Sequence, residues 1–162
     1  MKQAAGILLY RHRAGQVEVL LVHPGGPFWA GKDDAAWSVP KGEPEPGEDL
    51  LVAAEREFRE ETGSPAPAGP RIDLGEVRQA SGKRVRVWAV EGDLDAASCH
   101  SNHATIEWPR GSGRTIVIPE VDRADWFELG VAHVKLVLAQ AVLADRLGGA
   151  LGDPNRRSVP PC

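Results

Sequence analysis

Residues 42–64 read GEPEPGEDLLVAAEREFREETGS, and this stretch decides how the rest of the chain is interpreted. A turn rich in Pro and Gly is followed by a run without helix breakers, which predicts a helix over Leu50–Thr62 that ends at Gly63. Within that helix Glu57, Glu60 and Glu61 stand at i, i+3 and i+4, so they share one face. Three carboxylates on one face repel one another at neutral pH.

Such a cluster indicates a cation site. Carboxylate oxygens are hard ligands that suit Mg²⁺ or Mn²⁺, and these ions also bind substrate phosphates. The alternative is a solvated helix face, which we prefer for three further glutamates of the stretch, Glu43, Glu45 and Glu55. The spacing between two glycines favours a metal-dependent site for phosphate chemistry.

Composition bounds the class of protein. A chain of 162 residues with a net charge of −4 suits one soluble domain. We expect that domain over residues 1–150 and a disordered tail over 151–162. The charge argues against binding to a nucleic acid polymer, and the lack of an apolar run of about 20 residues argues against a membrane span. We therefore expect a cytoplasmic protein, without a disulfide framework from Cys99 and Cys162.

Apolar patterning outside residues 42–64, hereafter the box, predicts mixed short strands and a second long helix. The segments expected to form strands are Ala4–Arg11, Val17–His23, Trp37–Val39, Asp73–Gln79, Val85–Val90, Thr115–Ile118 and Ala124–Phe127. A second helix is expected over Val131–Leu147, while Asp93–Gly113 shows no clear period. This order favours an α/β layered domain.

The box resembles the motif of the Nudix hydrolases. In that family a Gly is followed after five residues by Glu and after seven more by Arg-Glu-aliphatic-any-Glu-Glu-any-Gly. The residues that fall on this pattern are Gly42, Glu48, Arg56, Glu57, Phe58, Glu60, Glu61 and Gly63. Phe58 is aromatic rather than aliphatic, and Ser64 stands after Gly63 where the family usually has an aliphatic residue. The resemblance implies an α/β/α sandwich with a mixed sheet, metal-dependent hydrolysis of a phosphoanhydride, and a possible homodimer.

Each residue of the box receives an expected role. Glu57 and Glu61 are the expected direct metal ligands, and Glu60 is a further ligand or orients the attacking water. By the resemblance, the carbonyl of Lys41 is another ligand, and the general base lies outside the box, for which Glu120 is our candidate. Four residues are assigned to structural support, with Glu48 expected to pair with Arg56: Gly42, Glu48, Arg56 and Gly63.

Further residues are expected to contact the substrate. Lys41, Arg84 and Arg86 are candidates for holding phosphates, although the strand face of the two arginines could equally be solvated. Trp29 lies in the loop before the box and could stack on a base.

The lead-in Trp37–Gly42 resembles that of diadenosine polyphosphate and diphosphoinositol polyphosphate hydrolases of the same superfamily. It favours a small-molecule substrate, a dinucleoside or nucleoside polyphosphate. Two alternatives stay open: a housecleaning hydrolase of damaged nucleoside triphosphates or nucleotide sugars, and a Nudix-fold module that senses a nucleotide without cleaving it.

Overall fold

The computed structural model describes residues 2–152, so the expected tail over 151–162 lies outside the described residues except for Leu151 and Gly152. The eight strands of this part are β1 Gln3–Arg13, β2 Gln16–Pro24, β3 Lys41–Gly42, β4 Ile72–Arg78, β5 Arg84–Glu91, β6 His103–Glu107, β7 Thr115–Pro119 and β8 Val121–Glu128. The α-helices are α1 Leu50–Thr62, α2 Leu129–Lys135 and α3 Ala141–Ala150. None of the described helices is long and apolar enough to cross a membrane.

Strand β1 organises a mixed sheet. It pairs antiparallel with β2 and parallel with β5. The sheet order is β4-β5-β1-β2-β8, and the short β3 also pairs with β1. Strands β6 and β7 form a separate two-stranded ribbon.

Both faces of the sheet are buried. Along β1, Ile7 and Leu9 contribute to the core on the α1 side, whereas Leu8 and Tyr10 contribute to the core with α2 and α3. Successive side chains of a strand point to opposite faces, so a strand covered on both sides is apolar at nearly every position. The expected α/β/α sandwich with a mixed sheet is confirmed.

Helix α1 has the bounds that the sequence predicts. Asp49 caps its N-terminus by accepting a hydrogen bond from the Leu51 N–H. Gly63 ends it with φ of 81°, a conformation that costs glycine little. Ala53, Ala54 and Phe58 are buried against the sheet, which turns the glutamate face of the helix away from the core.

The expectation of one helix over Val131–Leu147 is wrong. The helix stops at Lys135, a 3-10 turn covers Leu138–Gln140, and α3 follows. Trp37 breaks the continuous helix, because its N–H donates to the Lys135 carbonyl at 2.9 Å and its own carbonyl accepts from the Val137 N–H at 2.9 Å. These contacts form an isolated bridge at Trp37, and Ser38 forms another with Val22, so Trp37–Val39 makes two isolated bridges rather than the expected strand.

The segment without a clear period, Asp93–Gly113, contains a 3-10 turn at Ala96–Ser98 and strand β6. The sequence pattern missed β6, whose partner in the described part is β7; both strands consist of exposed and half-buried residues only. Strand β6 is five residues long, and its alternating apolar residues Ala104 and Ile106 are only half-buried, so its pattern is a weak strand signal.

Candidate functional site

The start of the box is fixed to the sheet by strand β3. Lys41 pairs with Gly6 of β1, and the Ile7 N–H donates to the Pro40 carbonyl at 3.2 Å. A side chain at Gly6 would collide with the backbone oxygen of Pro40, so this close approach requires glycine. The Lys41 N–H in turn donates to Glu61 Oε1 at 3.1 Å, which ties the box turn to the last turn of α1.

Arg56 lies at the centre of the acidic cluster. Its Nε and Nη2 donate to the two oxygens of Glu48 at 3.0 and 2.9 Å, which confirms the expected pairing. Its Nη1 donates to Glu57 at 2.9 Å and to Glu60 at 3.2 Å. The guanidinium lowers the pKa of Glu48 to about 2 by hydrogen bonding, so this carboxylate stays ionised and holds the turn against the helix.

Glu57 and Glu61 are the carboxylates that the fold desolvates. Burial raises the pKa of Glu57, although the hydrogen bond from Arg56 opposes the shift. Burial also raises the pKa of Glu61 to about 8, against the attraction of Lys41. Each therefore stands in an environment that disfavours its ionised form unless a cation is present.

The fold brings Glu120 to the same cluster from a distant part of the sequence. The negative charge of Glu120 contributes to the raised pKa of both Glu57 and Glu61. Asn102 makes the connection, since its N–H donates to the Glu60 carbonyl at 3.1 Å and its carbonyl accepts from the Glu120 N–H at 2.9 Å. The segment that the sequence left unread thus links Glu120 to the end of α1.

An open cleft of about 770 Å³ lies beside this cluster. Four predicted site residues line it, namely Trp29, Lys41, Glu61 and Glu120. The other lining residues are Val22, Pro24, Ala35, Ala36, Ser38, Gln79, Ala80, Ser81, Val121, Val137, Leu138, Ala139 and Gln140. A mostly apolar wall with few polar groups is typical of a small-molecule site.

Arg84 and Arg86 are not brought to the cleft. Arg84 lies 3.6 Å from Glu76, and Arg86 is paired with Asp73, both on β4. Neither arginine is among the lining residues. Their expected contact with substrate phosphates therefore has no support from their position.

Two glutamines that sequence reasoning missed, Gln79 and Gln140, also line the cleft. Gln140 is fully buried and Gln79 is half-buried. The feature that draws attention to Gln140 in the structure is the burial of its polar side chain. That burial depends on the break between α2 and α3. The sequence pattern carried no signal for either residue.

The donor set fits a hard divalent cation, although the side chains do not yet converge on one. Among residues 2–152, no three acidic, histidine or cysteine side chains already surround a common point that could hold a metal ion. Arg56 engages oxygens of both Glu57 and Glu60, and the Lys41 amide engages Glu61. A cation that uses these glutamates as ligands would replace those contacts, which are all hydrogen bonds to carboxylate oxygens.

The fold and the acidic helix define a class of protein that comparison identifies. A family model described as the NUDIX domain matches residues 1–146, and the chain belongs to this family.

Over 59 residues the chain is 42% identical to the asymmetrical bis(5′-nucleosyl)-tetraphosphatase of Caenorhabditis elegans. This alignment covers 36% of this chain and 38% of that protein. Over 58 residues it is 45% identical to the RNA pyrophosphohydrolase of Caulobacter vibrioides, which covers 33% of each chain. The matches thus span about a third of the length of these curated relatives. A crystal structure of a C. elegans Ap4A hydrolase binary complex superposes with a TM-score of 0.62 at 25% identity, over 93% of this chain and 98% of that one.

Proposed function

We propose that this chain is a divalent-metal-dependent hydrolase that cleaves a phosphoanhydride in a nucleoside diphosphate-linked compound, with (di)nucleoside polyphosphates as the preferred class. One observation carries the proposal: Glu57, Glu60 and Glu61 of α1 and the distant Glu120 are assembled beside a cleft of small-molecule size. The names of the tetraphosphatase and the Ap4A hydrolase among its relatives support the substrate class.

In this proposal one set of residues binds the metal ion and another supports the site. Glu57, Glu60 and Glu61, with the Lys41 carbonyl, would hold Mg²⁺ or Mn²⁺. When bound, such an ion neutralises phosphate charge and lowers the pKa of water. Glu48 and Arg56 hold the box turn on the helix, so that the ligand side chains keep their positions.

Glu120 is proposed as the general base. It lines the cleft and is exposed, so it can reach a water molecule that attacks phosphorus. In this scheme the new bond joins the water oxygen to phosphorus, the anhydride P–O bond breaks, and the water proton passes to Glu120. Glu60, 34% exposed, orients the water or serves as a further metal ligand.

The nucleoside side of the substrate is assigned to Trp29. This residue lines the cleft and packs partly against the core, so its ring is fixed in place as a stacking surface. Lys41 is the one basic residue among the described residues that line the cleft. A single lysine suits a short polyphosphate and contrasts with the basic stripe that a nucleic acid polymer needs.

The test is a phosphate-release screen with Mg²⁺ over nucleoside triphosphates, dinucleoside polyphosphates, nucleotide sugars and diphosphoinositols, coupled to pyrophosphatase or phosphatase. We expect turnover of dinucleoside or nucleoside polyphosphates that EDTA abolishes and added Mg²⁺ or Mn²⁺ restores. Preferred cleavage of damaged triphosphates or nucleotide sugars would replace the substrate class with the housecleaning alternative. Binding of nucleotide without turnover of any compound would favour the sensing module and overturn the enzymatic proposal.

A further inference from the structure

A chain of hydrogen bonds beside the cleft fixes which way two glutamine amides point. The Val39 backbone N–H donates to Gln140 Oε1 at 2.9 Å. A backbone N–H can only donate, so it identifies this atom of Gln140 as the oxygen. The Gln140 Nε2 then donates its two hydrogens to Ser38 Oγ at 3.1 Å and to Gln79 Oε1 at 3.2 Å.

The hydroxyl of Ser38 completes the arrangement. It donates to the Val39 carbonyl at 2.7 Å, which leaves its oxygen free to accept from Gln140. Every polar atom of the buried Gln140 amide therefore has a partner, and reversing this amide would set donor against donor at Val39. Buried amides with all partners in place hold a single orientation.

The orientation of Gln79 follows from that of Gln140. Because Gln79 Oε1 accepts from Gln140, its Nε2 is the end left over, and no residue in the 2–152 range accepts a hydrogen bond from it. No buried side-chain nitrogen or oxygen in the described part lacks a partner, so the Gln79 Nε2 is accessible to solvent. Its two N–H donors therefore belong to a residue that lines the cleft and have no acceptor among residues 2–152.

We propose that Gln79 is a specificity-determining residue that donates from its Nε2 to a hydrogen-bond acceptor of the bound substrate, and that Gln140 is the positioning residue that fixes this polarity. This inference rests on the proposed function and adds to it a selection for acceptor groups. Two sources offer that chemistry: the nucleobase, as with N7 and O6 of guanine, and the oxygens of the phosphate chain.

Binding of non-hydrolysable nucleotides tests the proposal without requiring turnover. The probes are the α,β-methylene analogues of guanosine and adenosine triphosphates, titrated with Mg²⁺ by isothermal titration calorimetry. Gln79→Leu removes the donors and should weaken binding about ten-fold. Gln16→Leu is the matched control, because Gln16 is exposed at the end of the β1–β2 hairpin and does not line the cleft.

The pattern across the two bases identifies the acceptor. A loss for the guanosine analogue that clearly exceeds the loss for the adenosine analogue assigns the contact to the base. An equal loss for both assigns it to the phosphate chain. Both outcomes support a donor at Gln79, whereas affinities within two-fold of wild type for both analogues, in a variant with a normal melting temperature, would overturn it.

Gln140→Glu tests the positioning role with a readout that loss of structure would not produce. The carboxylate still accepts from the Val39 N–H, but it can no longer donate to Gln79. We expect the Gln79 amide to turn, so that its Nε2 donates to Glu at position 140 and its oxygen faces the cleft. A base contact would then shift in preference from the guanosine to the adenosine analogue, whose N6 amino group is a donor, and a phosphate contact would be weakened for both.

The Gln79→Leu background provides the decisive comparison. Gln140→Glu should have little further effect on affinity there, because no amide remains to be turned. An equal effect in both backgrounds would overturn the positioning role. Wild-type protein that binds neither analogue and shows no turnover in the phosphate-release screen would overturn the proposed function together with this inference. Normal wild-type binding that Gln79→Leu leaves unchanged would overturn this inference alone.

Discussion

Substitution of Gly42 by alanine should impair the catalytic site while leaving the stability of the fold nearly unchanged. The carboxyl carbon and both oxygens of Glu57 lie so close to Gly42 that an added Cβ would stand well inside 3.0 Å of all three atoms. Gly42 does not have a positive φ, so alanine fits the backbone conformation there. The atoms in the way are the far end of a flexible side chain, which can move at little cost in folding free energy.

The magnitude follows from the displacement. To regain an ordinary contact of 3.4–4 Å, the Glu57 carboxylate has to retreat by at least about 1 Å. A misplacement of about 1 Å at a reacting centre costs on the order of 10²-fold in rate. We therefore expect Gly42→Ala to lower kcat/KM about a hundred-fold and to need more Mg²⁺ for half-maximal rate, while the unfolding midpoint changes little.

The assay is hydrolysis of the best substrate at several Mg²⁺ concentrations, together with thermal unfolding of the same protein sample. Gly130→Ala is the control, because an added Cβ at Gly130 in α2 meets nothing within 4 Å. It should leave the rate unchanged. Full activity of Gly42→Ala at low Mg²⁺ would refute the reasoning, since the place of Glu57 against Gly42 would then be irrelevant to the site.

Three further predictions follow from the same contacts. Glu61→Gln should keep the fold, because the amide oxygen can still accept from the Lys41 N–H, but should lower turnover at least about 10²-fold and abolish the rise in melting temperature that Mg²⁺ gives the wild type; near-normal turnover would remove Glu61 from the site. Glu120→Gln should slow hydrolysis about 10²-fold with little change in the Mg²⁺ dependence, and an unchanged rate would move the search for the base to Glu60. Phe58→Ala should cost about 3–5 kcal/mol in the free energy of unfolding measured with urea, since the ring is fully buried between α1 and the sheet, and a loss below about 1 kcal/mol would show that the site collapses around the cavity.

Helix α1 is an element whose bounds local sequence signals were sufficient to predict. Its cap residue Asp49, its apolar positions and its terminal Gly63 are all local signals, and the structure has the predicted bounds of Leu50–Thr62. The ion pair between Glu48 and Arg56 was also expected, from the resemblance of the box to the family motif, and the structure contains it.

Predictions failed where a long-range contact outweighed local preference. Val131–Leu147 has a helical pattern, but pairing with Trp37 gives its middle an extended conformation. Propensity differences of a few tenths of a kcal/mol per residue cannot resist two backbone hydrogen bonds in a buried setting. The same break buries Gln140 beside the cleft, a position that the helical pattern could not have assigned.

The sequence by itself determined the family motif, the acidic helix and the α/β class, because each depends on spacing within a few turns of chain. Tertiary structure alone decided which distant residues join that helix: Asn102 links Glu60 to Glu120, and Gln140 reaches Gln79. Tertiary structure also pairs Arg84 with Glu76 and Arg86 with Asp73, both on β4, and places neither arginine at the cleft. These outcomes depend on how the sheet and the loops pack, and a residue's own neighbours in sequence carry no information about a partner 60 positions away.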